Sequence, residues 1–485
     1  MTNLRRHLVL ALLAGMALRL FFLLRYPASS GDTVLYEEIA VNWLRHGTYG
    51  MWVDGRLTPV DLRMPGYPVF LALVYWLTGH AGEAARPVVM LAQAGLDLLT
   101  CILTANLAAC LAPEGQRANA SIAALWLAAL CPFLANFAAV PLTEVWASFL
   151  TVAAMCVLVA GVRHGHRGRT DDPAGPGSLR WLLGGILIGL GTLFRPETPL
   201  LAFCAVIIMI AFLWRSGPLR ILIRVALLSV AVLLPLAPWA GRNWGSLHEV
   251  QLLTPRFSQL PGELVPYGFM AWEKTWLVRF RDVYLVPWKL DGEPIPIQDI
   301  SPSAWDTPGE RARVAALLDR YNQTLTLTKD EDDGFAEIAR ERTARHPLRT
   351  YLWVPLGRTV TMWFTPRIEL LPVSGNVFPL ARQWHEDRTD QCVTAGLFFL
   401  NVLYVALAVF GLWRLWRAGA EHRAQVGAGL ALIVLYLLSR TAFLTTLETL
   451  EPRYTVICFP LLIAFGAQVW AARSPSGGRS APSHR

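Results

Sequence analysis

The sequence predicts an all-α, polytopic integral membrane protein, and three observations support this prediction. Its 485 residues are 54% hydrophobic and only 16% charged, whereas about a quarter of the residues in soluble domains are charged. The mean hydropathy is +0.40. The chain also contains 19 Trp residues, and indole rings concentrate at the two interfaces of a membrane. We therefore expect a bundle of transmembrane helices.

The hydrophobic residues are concentrated in ten runs, most of them near the length that crosses a bilayer. Two further stretches, 65–79 and 346–366, are apolar but short or interrupted by Pro and Arg, so each could either span or lie in the interface. We predict about ten spans and at most twelve. The ten runs cover residues 8–25, 87–111, 119–140, 145–162, 181–194, 198–214, 220–240, 392–413, 426–447 and 454–472.

The distribution of Arg predicts the orientation of these spans. If 65–79 does not cross the membrane, the loops on one side, together with both ends of the chain, hold 16 Arg and 4 acidic residues. An excess of basic residues marks the cytoplasmic side. We therefore expect a multi-pass protein of the cell inner (plasma) membrane, with both termini in the cytoplasm and with residues 26–86 and 243–391 outside. The basic residues set topology, and no nucleic-acid partner is predicted.

This topology divides the chain into four parts, and a polar linker at 164–178 lies within the first of them. The seven Cys residues lie in or beside apolar runs, so no disulfide framework is predicted. The parts are an N-terminal transmembrane module at 1–245 with its first outer loop at 26–86, a Pro- and Trp-rich outer region at 246–391 with an interfacial helix near 346–366, C-terminal transmembrane helices at 392–472, and a disordered cytoplasmic tail at 473–485.

The first outer loop begins with a predicted amphipathic helix. Leu35, Ile39 and Trp43 recur at helical spacing. Gly31 and Asp32 are expected to start this helix and Gly47 to end it. Asp32 would then lie just outside the membrane. Its carboxylate could cap the helix or take part in chemistry, and the residue by itself does not separate the two.

Ionisable residues recur at the other outer turns as well. In a transporter we would expect such groups nearer the bilayer midplane. Each has a structural alternative, because Glu144 could open a helix and Arg63 could reach out to lipid phosphates. The outer turns contain Arg63, Glu144, Arg195, Arg242 and Arg453.

Arg19 and Asp97 are charged residues within the spans that have no obvious partner in the sequence. A lone charge in the membrane is costly and needs a partner or a polar cavity. Counted from the outer ends of their helices, the two residues lie within about one helical turn of the same depth. We expect them to form an ion pair.

Several kinds of chemistry have no support in the sequence. It contains no Gly-rich phosphate loop, no Walker sequence, no G-x-S-x-G elbow and no Cys pair of zinc spacing. No cofactor and no metal site is predicted, although the sequence does not rule out a divalent metal.

The outer motifs, taken in order, resemble those of the GT-C membrane glycosyltransferases. The resemblance is strongest to the bacterial relatives of the protein O-mannosyltransferases and of the lipid A aminoarabinose transferases, and it covers residues 1–245 and 440–472. This sequence has Asp32-Thr33 where the O-mannosyltransferase pattern has an Asp-Glu pair. The motifs are Asp32 with Tyr36, Ala40 and Gly47, then Arg63-Met64-Pro65-Gly66-Tyr67-Pro68, Thr143-Glu144, Arg195-Pro196, Arg242-Asn243 and Arg453-Tyr454.

The resemblance implies a GT-C-like helix bundle and a sugar transferase. The sugar would pass, with inversion, from a polyprenyl-phosphate donor in the membrane to an extracytoplasmic acceptor, which could be a protein, a lipid or a glycan. Asp32 would be the catalytic carboxylate, and an Arg would stabilise the leaving phosphate. A transporter or flippase of lipid-linked sugars and a non-catalytic assembly protein are the alternatives. The candidate substrate-binding residues are Tyr36, Arg63, Tyr67, Glu144, Arg195, Arg242, Arg358 and Arg453.

For a sugar transferase, the outer region also offers Trp rings on which sugars could stack, although an interfacial belt explains the same residues. They are Trp272, Trp276, Trp288 and Trp305.

Overall fold

A computed structural model describes residues 2–166, 176–214, 217–257 and 263–471, and these ranges are mostly helical. Seven of the described helices are long and apolar enough to cross a membrane. The number is eight if the bent pair Glu114–Ala129 and Pro132–Ala139 counts as one span. The predicted all-helical membrane fold is confirmed. Part of the predicted linker, 167–175, and the predicted tail lie outside the described residues.

The N-terminal part contains eleven α-helices and one β-hairpin among its described residues. They are α1 (Thr2–Arg25), α2 (Gly31–His46), β1 (Gly50–Val53), β2 (Arg56–Pro59), α3 (Gly66–Thr78), α4 (Arg86–Leu111), α5 (Arg117–Ala129), α6 (Pro132–Ala135), α7 (Glu144–His166), α8 (Pro176–Thr192), α9 (Leu200–Leu213), α10 (Pro218–Leu233) and α11 (Ala237–Leu247).

The second half begins with short helices in the outer region and ends with the C-terminal transmembrane helices. They are α12 (Tyr267–Glu273), α13 (Phe280–Leu285), α14 (Pro308–Thr324), α15 (Lys329–Arg345), α16 (Val354–Trp363), α17 (Leu380–Glu386), α18 (Arg388–Arg417), α19 (Ala420–Thr445), α20 (Phe459–Gly466) and α21 (Gln468–Ala471).

All ten apolar runs contain helices, but their lengths differ from a uniform set of ten spans. Helix α9 has 14 residues, which extend about 21 Å at 1.5 Å per residue, less than the roughly 30 Å hydrocarbon core. The apolar part of α8, Ser178–Thr192, and all of α3 are also short. The run 119–140 bends by 50° at the break before Pro132, because proline lacks the N–H that would continue the helix.

The β-hairpin in the first outer loop is absent from the sequence prediction. Its strands are antiparallel, with Gly50 opposite Pro59 and Val53 opposite Arg56. Asp54 and Gly55 form the turn, and both have positive φ, 48° and 74°. An Asp-Gly pair is a strong local signal for such a turn. The flanking strands are only four residues long, so an alternation of polar and apolar residues does not reveal them.

The loops predicted to lie outside meet at one end of the bundle, called the site end below. There Thr33 Oγ1 donates to Pro141 O at 3.1 Å, which joins α2 to the turn before α7. The loops predicted to lie inside meet at the opposite end, where Arg163 Nη1 donates to Cys110 O at 2.6 Å. This sorting of the loops into two ends is what alternating membrane crossings require.

The outer region packs onto the site end through a hydrophobic core of its own. Trp272 and Trp276 are 0% and 2% exposed in this core, which also includes Leu444 and Leu450 from the end of α19 and the turn after it. Asp332 accepts hydrogen bonds from the N–H groups of the first turn of α12, including that of Phe269 at 2.8 Å. The interpretation of Trp272 and Trp276 as sugar-stacking rings is therefore wrong, because their faces are covered by protein.

The stretch 346–366 forms a short π-helical segment, Arg349–Trp353, that continues into α16. Exposed apolar side chains recur every four residues, at Leu352, Leu356 and Val360, while Arg358 lies on the buried face. Such a one-sided apolar pattern is typical of a helix at a membrane interface.

Candidate active site

Asp32 lies in the first turn of α2 but does not cap this helix. Ser30, not Asp32, is the N-cap. Its Oγ accepts from the Thr33 N–H, and Thr33 Oγ1 accepts from the Ser30 N–H at 3.1 Å, which completes a capping box. Helix α2 then ends before Gly47, which has a φ of 68°, as predicted. The cap alternative for Asp32 is wrong, so its carboxylate is available for other contacts.

Two guanidinium groups hold that carboxylate. Arg63 Nη2 donates to Asp32 Oδ1 at 2.8 Å, and Arg453 Nη2 donates to Oδ2 at 2.9 Å. Arg63 follows the hairpin, whereas Arg453 lies 421 residues after Asp32, in the segment that follows α19 at the site end. The side chains of Asp32, Arg63 and Arg453 are 23%, 26% and 16% exposed. Solvent therefore reaches this ion pair network from the site end.

The two arginines also set the protonation of Asp32. Burial would raise the pKa of the carboxyl, but the positive charges of Arg453 and Arg63 and their hydrogen bonds outweigh it. The pKa falls from 3.8 to about 2. Asp32 is therefore ionised at neutral pH, and as long as both guanidinium groups contact it, it is a weak base.

A second ion pair, between Glu144 and Arg195, lies beside the first. Arg195 Nη2 donates a short hydrogen bond to Glu144 Oε1. Glu144 is 1% exposed, and its Oε2 is buried without a hydrogen-bond partner among the described residues. A buried acceptor without a partner is costly. Oε2 is thus available to a ligand's donor group.

Tyr454 joins the two pairs. The guanidinium carbon of Arg195 lies 5.1 Å from the centre of its ring, and that of Arg453 lies 5.3 Å from it. The Tyr454 hydroxyl donates to Glu451 Oε1 at 2.7 Å, and Glu451 in turn pairs with Arg453. One ring therefore fixes the spacing of two arginines that come from different turns.

Tyr36 lies on α2 one turn after Asp32, within electrostatic reach of both pairs. Burial and the negative charge of Asp32 raise the pKa of its hydroxyl to about 12, against the opposing charges of Arg63 and Arg195. Its ring contacts Tyr67 edge-on at 5.1 Å. Tyr67 is fully buried and donates to Gln93 Oε1 at 2.7 Å. Tyr67 therefore packs against the Tyr36 ring, and Tyr36 is the tyrosine nearer the charged groups.

The structure does not bring Arg242 to this cluster. Arg242 Nη1 donates to Val60 O at 2.9 Å, and its Nη2 makes a short hydrogen bond to Tyr49 O. The guanidinium also lies over the rings of Tyr49 and Trp239. Arg242 thereby holds both ends of the hairpin segment.

Arg358 is likewise bound to backbone carbonyls. It donates to Leu277 O at 2.8 Å, to Thr445 O at 3.2 Å and to Leu447 O at 2.7 Å, and it is 1% exposed. These contacts join α16 to the turn that carries Arg453. A role for Arg358 in the site is therefore an indirect one, through the position of that turn.

Sequence reasoning missed one ion pair and one further carboxylate near the site. Arg440 Nη2 donates to Glu197 Oε1 at 2.9 Å, which ties α19 to the turn between α8 and α9. The sequence signal for this pair is Arg440 itself, a lone Arg in an apolar run, which indicates a buried ion pair just as Arg19 does. Glu369 lies in an irregular segment after α16, and nothing in its sequence context marks it. Among the described residues, no group of three or more His, Cys, Asp or Glu could hold a metal ion.

No protein-family model matches the sequence, and no curated protein is significantly similar to it. Similar solved structures include the Archaeoglobus fulgidus oligosaccharyltransferase tethered to an acceptor peptide, with 12% identity, a TM-score of 0.49 and coverage of 96% of this chain and 49% of that one. Another is AglB from the same organism in complex with an inhibitory peptide and a dolichol-phosphate, with 13% identity, a TM-score of 0.48 and coverage of 96% and 50%.

A third similar structure is ArnT from Cupriavidus metallidurans bound to undecaprenyl phosphate, with 15% identity, a TM-score of 0.39 and coverage of 95% of this chain and 77% of that one. This chain spans about half the length of the archaeal oligosaccharyltransferases.

Proposed function

We propose that this protein is a membrane glycosyltransferase that transfers a sugar from a polyprenyl-phosphate donor to an acceptor on the extracytoplasmic face, with inversion at the anomeric carbon. One observation carries the proposal. Asp32 is relieved of the capping role by Ser30 and is held, partly exposed, between Arg63 and Arg453 at the site end of an apolar bundle.

The position of the cluster suits a lipid-linked substrate. A polyprenyl chain dissolves in the bilayer, and its phosphate lies at the interface, level with the ends of the spans. Arg63, Arg195 and Arg453 come from three different outer turns and lie at that level. Guanidinium groups bind phosphate through paired N–H donors, so this site provides the contacts that the head group of the donor requires.

The proposed reaction is a single displacement. Asp32 accepts the proton of an acceptor hydroxyl as the acceptor oxygen attacks the anomeric carbon. The bond from that carbon to the phosphate oxygen breaks, and the electron pair leaves with the polyprenyl phosphate. Arg63 and Arg453 donate hydrogen bonds to the charge that develops on the phosphate. Attack from the side opposite the leaving group inverts the anomeric carbon.

Competition between Asp32 and the phosphate for the same arginines orders these events. A donor phosphate that accepts hydrogen bonds from Arg63 and Arg453 takes them from Asp32. Loss of the two positive contacts raises the pKa of the carboxyl above its value of about 2 in the empty site. The carboxylate thus becomes a better base once the donor is bound, so the donor binds before the acceptor is activated.

Glu144 and Tyr36 are assigned to substrate positioning. The unpartnered Oε2 of Glu144 accepts a hydrogen bond from the acceptor, while Arg195 holds the other oxygen in place. The Tyr36 hydroxyl, which keeps its proton because its pKa is raised to about 12, donates to substrate oxygens.

The test is to incubate purified protein in lipid nanodiscs with defined polyprenyl-phosphate sugars and to measure donor consumption. Turnover in the wild type and its loss in Asp32→Asn support the proposal. For the same protein in sealed vesicles, movement of the lipid-linked sugar across the bilayer without turnover would replace it with the flippase alternative.

The proposed face is tested by labelling introduced cysteines with an impermeant thiol reagent in intact cells. Cys392 is exposed, so it is first replaced by Ser. We expect labelling of Gly82→Cys, beside α3 at the site end, and none of Gly115→Cys, at the opposite end. The reverse pattern would place the site in the cytoplasm and exclude the proposed topology.

A further inference from the structure

Three aromatic rings of the outer region stand together beside the site. Phe280 and Tyr284 lie one turn apart on α13, and Trp288 follows the helix. Their ring centres are 4.9 Å apart for Phe280 and Tyr284, 4.4 Å for Tyr284 and Trp288, and 5.8 Å for Phe280 and Trp288. Tyr284 and Trp288 are 42% and 47% exposed. Phe280 packs on the core of the outer region and anchors the group.

Phe280 packs on the same hydrophobic core as Tyr454, whose ring lies against Arg195 and Arg453 of the charged cluster. Burial raises the pKa of the Tyr284 hydroxyl to about 12, and the charges that act on it are those of Glu369, Glu451 and Arg453. Arg453 is one of the two arginines that hold Asp32. The aromatic group therefore lies within electrostatic reach of the proposed reaction centre.

Glu369 supplies an unused acceptor at the same place. Its Oε1 is buried and has no hydrogen-bond partner among the described residues. The nearest cation along the chain, Arg367, directs its N–H groups elsewhere, to Met362 O, Pro452 O and the side chains of Asn401 and Thr455. A buried carboxylate oxygen without a donor is costly in the empty protein. A hydroxyl from a ligand would satisfy it.

We infer that the rings of Phe280, Tyr284 and Trp288, with the carboxylate of Glu369, form a subsite for the donor sugar, and that this subsite prefers a neutral pyranose. The inference rests on the proposed function and names its substrate class. The apolar face of a pyranose stacks on the exposed aromatic rings, and one of its hydroxyls donates to Glu369. Burial raises the pKa of Glu369, against the opposing charge of Arg367. In its ionised form Glu369, together with Glu451, disfavours a sugar that carries a carboxylate of its own, because like charges repel.

A membrane-anchoring aromatic group is the competing explanation, since Tyr and Trp also gather at interfaces. Two features favour the subsite. The group is anchored on the core of the outer region, and a buried carboxylate accompanies it. Anchoring in lipid uses neither the charges near Tyr284 nor the acceptor of Glu369.

The experiment measures equilibrium binding of three probes to the full chain in nanodiscs: polyprenyl-phosphate mannose, polyprenyl-phosphate glucuronic acid and sugar-free polyprenyl phosphate. In Trp288→Ala we expect about tenfold weaker binding of the mannose lipid and no change for the sugar-free lipid. Trp288→Phe, which keeps a ring, should stay within about threefold of wild type. Trp244→Ala, which removes a 60% exposed indole from α11, is the matched control and should not change binding.

Glu369→Gln tests the carboxylate. It keeps an acceptor oxygen but removes the charge, so we expect the preference for mannose over glucuronic acid to fall at least about fivefold. Equal loss of sugar-bearing and sugar-free lipid in Trp288→Ala would assign the rings to membrane anchoring, and unchanged binding of all probes would refute the subsite. Wild-type turnover with either result leaves the proposed function standing. Sugar-selective binding without turnover refutes catalysis and supports the subsite.

Discussion

Asp97 and Asp32 both bind arginine, but Asp97 lies inside the helix bundle and Asp32 lies at its end. In the bundle, Arg19 donates through Nε and Nη2 to Asp97 Oδ2 at 2.8 and 2.6 Å, and through Nη1 to Gly15 O and Ala129 O. The side chains of Arg19 and Asp97 are 0% and 2% exposed. At the site end, Asp32 shares its two oxygens between two arginines and is 23% exposed.

The difference separates a structural ion pair from a reactive one. The Arg19–Asp97 pair has a filled set of acceptors around the guanidinium and no route for a ligand, so its contribution is to the stability of the bundle. Arg63 and Arg453 contact Asp32 where solvent reaches all three. A phosphate can therefore replace Asp32 as the partner of Arg63 and Arg453. The buried Arg19–Asp97 pair does not permit such an exchange.

Removal of the charge of Asp32 should give the largest effect. We expect Asp32→Asn to slow single-turnover transfer by roughly 10²- to 10⁴-fold, because Asn does not accept the acceptor proton. The fold should be retained, since Ser30 caps α2. The rate is measured at matched folded concentration, checked by size-exclusion chromatography and thermal unfolding. A folded variant that keeps more than about a tenth of the wild-type rate would remove Asp32 from catalysis.

Changes to the buried Arg19–Asp97 pair should lower the stability of the protein. Arg19→Leu and Asp97→Leu should each lower the free energy of unfolding by roughly 3 to 5 kcal/mol, because each leaves a buried charge without its partner. The double variant should be much closer to wild type. Denaturation of the four proteins in the same detergent measures this coupling, and simple additivity of the two single losses would contradict it.

Glu144→Gln should have a smaller effect than Asp32→Asn and a different signature. Gln keeps the size and one acceptor oxygen but weakens the contact with Arg195. We expect about tenfold weaker apparent affinity for the acceptor and a nearly unchanged maximal rate. Steady-state kinetics with varied acceptor separates the two parameters. A loss confined to the maximal rate would instead move Glu144 into the chemical step.

The pH dependence should show the smallest change. A carboxyl whose pKa is lowered keeps its negative charge as the pH falls until that pKa is reached. In the empty site, the Asp32 carboxylate should therefore become protonated only near pH 2. With donor bound, the arginines turn to the phosphate and the pKa rises. We expect the acidic limb of kcat to lie at higher pH than that of kcat/KM for the donor. Coincident limbs would contradict donor-first activation.

Much of the fold could be predicted because hydrophobicity and helix ends are local properties. The apolar runs contain helices, α2 begins and ends where expected, and Arg19 pairs with Asp97 as their depths in the membrane suggested. The hairpin at Asp54–Gly55 was missed because its strands are short. Trp272 and Trp276 could not be told from exposed rings, because the composition of the outer region does not reveal its core.

By itself, the sequence determined that this chain forms a polytopic helical bundle and that charged residues recur at the turns on one side of it. Only the tertiary structure decided which of those charges meet. Arg63 and Arg453 reach Asp32, whereas Arg242 and Arg358 bind backbone carbonyls. The physical reason is distance along the chain: a contact across 421 residues depends on how the helix ends pack, and no local pattern of residues encodes it.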